Sequence, residues 1–130
     1  MVHVSQQQID DYARDGAICI RGLLSAAQID LLRLGIEANL QALSPRAKVA
    51  SNADDPGYFV EDFCNWQTNS YYKQLLFQSE LGEVAGRLMQ SSTSRLYHDH
   101  LLVKEPGTRQ RTPWHQDQPY YNIDGKQNCS

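Results

Sequence analysis

The sequence predicts an α+β chain in which helices come first and a sheet comes last. Three observations carry that reading. One-sided apolar stripes dominate before residue 92, strand-like alternation starts after residue 93, and Asp124-Gly125 has the composition of a two-residue hairpin turn. The 130 residues are read as part of a single domain, helical over 1–92 and sheet-forming over 93–130.

Ser5 stands as a candidate N-cap, and Ile9, Tyr12, Ala13 and Gly16 follow at helical spacing, so Gln8 to Gly16 is expected to be a helix stopped by its glycine. Ala17-Ile18-Cys19-Ile20 is a brief apolar run, expected as a strand. Ser25 is placed to cap a second helix with Ile29, Leu32, Ile36, Leu40 and Leu43 on one side, ended by Ser44-Pro45. Lys48 to Gly57 is polar and turn-rich, and Tyr58-Phe59-Val60 is expected to be extended. Helices follow over Ser70 to Phe77 and from about Glu80, where Leu81, Val84, Ala85, Leu88 and Met89 repeat a stripe.

Arg95 to Lys104 then reads as a strand, broken by Pro106-Gly107. Tyr97, Leu101 and Val103 form its better core face, with His98, His100, Leu102 and Lys104 opposite. A loop, Thr108 to Arg111, leads into Pro113 to Asp117, expected to be extended again. Only Lys126 to Ser130 follow the hairpin signal. The expectation is a sheet that stops mid-hairpin, with exposed apolar surface and open edges, hence the N-terminal part of a larger domain.

Composition narrows the function. A net charge of −3 and a pI near 5.7 offer no electrostatic footprint for nucleic acid. No apolar run approaches the roughly 20 residues a membrane helix needs, and the first residues lack the basic and apolar regions of a signal peptide. Cys19, Cys64 and Cys129 are too few and too scattered for a disulfide framework or a thiolate zinc site. A reduced, cytoplasmic setting is the default expectation.

His115-Gln116-Asp117 is the sharpest chemical feature. On a strand, residues two apart share a face, so an imidazole and a carboxylate would reach one metal ion from adjacent corners. That is two-thirds of the facial triad of two histidines and a carboxylate that holds non-haem iron(II). The plain alternative is a surface His-Asp ion pair. Pro113-Trp114 and Pro119-Tyr120-Tyr121 flank the pair, either as walls of a site or as ordinary packing. His98-Asp99-His100 is a second candidate: a pocket lining, a source of the missing ligand, or simply a solvent-facing strand side.

The stretch LYHDHLLVKEPGTRQRTPWHQDQPYYNIDGKQN resembles the central part of the phytanoyl-CoA dioxygenase family, and IDDYARDGAICIRGLL resembles its opening. The resemblance spans essentially the whole chain. It implies a non-haem iron(II)- and 2-oxoglutarate-dependent dioxygenase that uses O₂ to hydroxylate a small organic molecule. The implied fold is a double-stranded β-helix of the jelly-roll and cupin group with flanking helices.

Carried over by position, His115 and Asp117 become metal ligands. Gln116 lies beside 2-oxoglutarate, and His100 falls where members place a side chain near that cosubstrate. Lys104 matches a recurrent family lysine. Family members run to about twice this length, and their second ligand histidine and 2-oxoglutarate-binding arginine belong to later strands. Arg109 and Arg111 precede the motif and do not replace that arginine. Asp117 stands where halogenating relatives need a small residue, which weighs against halogenation.

Two other classes compete. A zinc-dependent hydrolase would gather His98, His100, His115 and Asp117 around one ion. A non-catalytic binding domain would keep His-x-Asp as a vestige.

Overall fold

A computed structural model of the chain describes residues 4–130. Two serines start the helical frame as expected. The Ser5 and Ser25 hydroxyls accept the backbone N–H groups of Gln8 (3.2 Å) and Gln28 (3.3 Å). Each glutamine in turn accepts the serine's own N–H, at 2.9 and 2.8 Å. These reciprocal caps, worth about 1 kcal/mol each, open α1 (Gln6–Asp15) and α2 (Ala26–Gln41). Gly16 ends α1 in the left-handed region, with φ at 75° and its N–H donating to the Tyr12 carbonyl.

The expected strand at Ala17–Ile20 does not form. Those residues are irregular, because no neighbouring strand pairs with their backbone groups. The sheet has three antiparallel strands in the order β1 (Lys48–Val49), β2 (Phe59–Phe63), β3 (His100–Lys104). β3 pairs with β2 along its whole length, from Phe59 opposite Lys104 to Phe63 opposite His100. Two of the three strands thus fall before residue 93, and the division into helical and sheet halves gives way to a sheet drawn from both. β3 starts at His100 rather than Arg95. The residues before it are diverted at Asp99, whose carboxylate accepts from Asn65 N (3.0 Å) and Trp66 N (2.9 Å).

α3 (Ser70–Gln78) and α4 (Leu81–Leu88) lie where their stripes predict. α2 packs on α3 and α1 on α4. The α2–α3 contact is close at Gly35, where an added Cβ would come within 2.7 Å of the Tyr72 ring. Val60 and Leu101 on the sheet, Tyr72 and Leu75 on α3, and Val84 on α4 are buried. Along β3, Leu101 is buried while its neighbours His100 and Leu102 are exposed, as the alternation predicts. The result is an α+β arrangement with a small open sheet.

A polar cluster sits inside this core. The Asp62 carboxylate is completely buried. It accepts from Asn39 Nδ2 (2.8 Å), Ser44 N (2.8 Å), Ser44 Oγ (2.5 Å) and Phe63 N (2.8 Å). Asn39 Oδ1 accepts in turn from Asn65 Nδ2 (3.2 Å) and the Tyr72 hydroxyl (3.3 Å). Burial pushes the Asp62 carboxyl up, but the hydrogen bonds led by Ser44 hold it well below the ordinary carboxylate range. Burial, aided by the Asp99 and Asp62 charges, pushes the Tyr72 hydroxyl up to about 12, which keeps it a donor. α2, β2 and α3 are joined through these groups.

Beyond β3 the chain turns at Pro106-Gly107, and this turn nests against Gly57. A Cβ on Gly57 would lie 2.7 Å from Thr108 N and 2.8 Å from the Glu105 carbonyl oxygen, so only glycine fits. Tyr58 N donates to Glu105 Oε2 (2.9 Å), and Glu105 N donates to the Tyr58 carbonyl (2.8 Å). Pro113 to Asp117 does not form a strand. It is irregular and runs into a single 3₁₀ turn, Gln118–Tyr120. Asp124-Gly125 makes no hairpin either. Gly125 takes φ 118°, and the chain returns to the helices, with Gln127 Nε2 donating to the Met89 carbonyl (3.0 Å) and the Tyr12 hydroxyl to the Asn128 carbonyl (3.3 Å).

Candidate metal centre

His115 and Asp117 come together by a turn rather than by sharing a strand face. Asp117 has helical dihedrals, φ −75° and ψ −33°, as the residue before the 3₁₀ turn. That bend swings its carboxylate back, so Oδ1 lies 3.1 Å from His115 Nε2. On the other side of the ring, Nδ1 is 2.8 Å from the Pro113 carbonyl oxygen. A carbonyl only accepts, so Nδ1 carries a proton, and Nε2 is the nitrogen that faces Asp117. The Tyr120 ring meets the imidazole edge-on, with centroids 6.1 Å apart.

An imidazole nitrogen and a carboxylate oxygen held 3.1 Å apart share a cation between or beside them. The cation can be a proton or a metal ion. Neutral imidazole and carboxylate are the donor types that suit a divalent first-row metal, and the second nitrogen anchored on a backbone carbonyl is the support such ligands use. The two residues therefore fit an iron(II) site as two of its protein donors. Both remain substantially exposed, 41% and 58% by side chain. They border an open depression of about 450 Å³ together with Thr112, Pro113 and Trp114.

The other candidates lie apart from this pair. His100, on β3, places Nε2 3.3 Å from Glu61 Oε2 and stacks on Phe63 with centroids 4.2 Å apart. His98 has Nδ1 3.0 Å from the Asp99 carbonyl and sits among Phe63, Tyr97 and Tyr121. Gln116 is exposed between His115 and Asp117. Lys104 lies over the Phe59 ring at 4.9 Å. Among the described residues no three His, Cys, Asp or Glu side chains converge as a metal site. The four-residue zinc set is not assembled, because His98, His100 and the 113–117 segment lie in different surroundings.

Sequence reading missed the Pro113 carbonyl that orients His115, whereas Tyr120 was already named as a flank of the pair. The proline two residues before the histidine was the only signal, and it does not say where its carbonyl will point. Among the described residues no helix is long and apolar enough to cross a membrane.

The phytanoyl-CoA dioxygenase (PhyH) family model matches residues 12–129. No curated protein and no solved structure matches the chain. The match covers both the helical opening and the segment carrying His115 and Asp117, so the chain belongs to the phytanoyl-CoA dioxygenase family.

Proposed function

We propose that this chain supplies the first two metal ligands of an iron(II)- and 2-oxoglutarate-dependent dioxygenase that hydroxylates a small organic molecule. The observation that carries the reading is the His115–Asp117 pair, with Nε2 and Oδ1 3.1 Å apart and its imidazole anchored at Nδ1 by Pro113. Family membership supports oxygenase chemistry in general. In this reading His115 Nε2 and Asp117 Oδ1 hold the metal, and a further histidine outside the described residues completes the triad. Bound iron with its cosubstrate supplies the oxidising power for attack on an unactivated C–H bond.

The chain's own residues bind and orient. The Pro113 carbonyl holds a proton on Nδ1, which leaves Nε2 as the nitrogen that takes the metal in this reading. Gln116, exposed between the ligands, is placed to donate its side-chain amide to 2-oxoglutarate. His100 is our second candidate for a cosubstrate neighbour. Its present engagement with Glu61 makes that pair the group through which it would act. Trp114, fully exposed beside the depression, is placed to shield bound substrate from water.

We further assign the three strands to one part of a double-stranded β-helix, with the chain as the N-terminal portion of that domain. A cytoplasmic setting agrees with three free, exposed cysteines.

The test is anaerobic titration of the full-length protein with iron(II) and 2-oxoglutarate, following the weak visible charge-transfer band of the chelate. The band is expected in wild type and absent in His115→Ala and Asp117→Ala. Folded protein that shows no band overturns the assignment in favour of a binding domain.

A further inference from the structure

The segment that carries His115 is tied firmly at its start and loosely thereafter. Its start is the 105–108 turn nested against Gly57. Arg109 adds a last tie back to the same neighbouring loop. Its Nη1 lies 3.0 Å from Asp54 Oδ2, and its Nε lies 3.6 Å from Asp55 Oδ1. From Arg109 to Gln116 no backbone–backbone hydrogen bond is made among the described residues, so nothing regular there holds the chain between that tie and the His115–Asp117 pair.

The two aspartates differ. Asp54 is exposed, whereas the Asp55 side chain is wholly buried. Asp55 Oδ2 accepts from Asn52 N at 3.0 Å and closes the turn, but Oδ1 has no hydrogen-bond partner. A buried carboxylate oxygen without a donor is costly, and the guanidinium at 3.6 Å is the charge that compensates it. An ion pair of exposed groups alone contributes little to stability. This one spans two loops and covers an otherwise unsatisfied oxygen, so it fixes geometry where the surface pair would not. The planar fork of arginine reaches both aspartates at once, which a lysine does not do.

We infer that Arg109 is a positioning residue of the metal pair: bridging Asp54 and Asp55, it sets where and in which direction the ligand-bearing segment leaves the sheet. The inference rests on the metal-site reading above. Displacing the segment moves His115 and Asp117 relative to the rest of the site without touching either of them.

The experiment is titration of the full-length protein with cobalt(II) under anaerobic conditions, reading affinity and the visible ligand-field band, with thermal midpoints measured in parallel. Arg109→Ala is expected to weaken cobalt(II) binding by up to about tenfold, the lower end of what a group bonded directly to a ligand governs, to change the band, and to lower the midpoint because Asp55 Oδ1 loses its compensating charge. Arg109→Lys should recover part of the loss. Arg111→Ala removes the same charge from the same segment, has no partner among the described residues, and should behave as wild type.

Asp54→Asn, an exposed change, should shift affinity in the direction of Arg109→Ala. Equal affinity and an unchanged band in Arg109→Ala overturn the proposal. Normal cobalt(II) binding in Asp54→Asn, whose midpoint should stay near wild type, also overturns it, since any loss in Arg109→Ala then reports stability alone. Wild type that binds no cobalt(II) overturns the metal reading first and this role with it, which keeps the two failures distinct.

Discussion

Asp62 and Asp117 are both carboxylates close to a turn, and the chain treats them in opposite ways. Asp62 is wholly buried and accepts four hydrogen bonds from α2, the loop after it and its own strand. Asp117 is more than half exposed, sits on an irregular segment, and has His115 as its neighbour. The first charge is completed by the protein itself, and its role ends there. The second keeps its lone pairs, held in direction but not consumed, which is the state a ligand-binding group requires.

The sharpest way to break this contrast is to remove each carboxylate in turn. Asp62→Ala leaves the Ser44 and Asn39 donors buried without an acceptor, and a loss of about 3–5 kcal/mol is expected in urea unfolding. Asp117→Ala should change unfolding free energy by less than about 0.5 kcal/mol while abolishing the iron–2-oxoglutarate band. Comparable destabilisation by both would dissolve the distinction. Gly35→Ala sharpens the structural side of it. The added methyl strikes the Tyr72 ring, and a cost of about 1–3 kcal/mol is expected by thermal or urea melting.

Acid titration tests the buried carboxylate as well. The folded pKa of Asp62 is depressed, so in acid the unfolded chain binds the proton first. Its contribution is full above the unfolded value of about 3.9 and is lost as pH falls through the lower folded value. Stability followed below about pH 4 should therefore drop in wild type and drop less steeply in Asp62→Asn. The smallest effect comes from the helix start: Ser25→Ala should cost about 1 kcal/mol and leave metal binding untouched.

The parts of the fold that were legible in the sequence are those set by neighbours a few residues away. Ser5 and Ser25 signal their caps because each partner glutamine lies three residues on, and the stripes of α3 and α4 need only their own periodicity. The alternation of β3 gave its faces correctly at Leu101 and Leu102. What stayed hidden depends on distant partners. Ala17–Ile20 has strand composition but meets no edge, and Asp62 looks like any polar strand residue until Asn39 and Ser44 reach it. His-x-Asp was singled out by type and spacing, on the expectation of a strand geometry that the chain does not use. A strand face and a turn both bring these two side chains together, and only the dihedrals of Asp117 tell them apart.

β3 has a second edge, and its consequence concerns solubility. β1 closes one side of the sheet with only Lys48 and Val49, too short to template much. On the other side β3 offers five residues, and among the described residues no strand pairs there. An unpaired strand with Leu102 exposed beside it is a ready seat for another extended chain. Lys104 and Glu105 at its end act as charged gatekeepers. Concentrated preparations of this chain should therefore self-associate through strand addition along β3, increasingly so as salt screens those two charges.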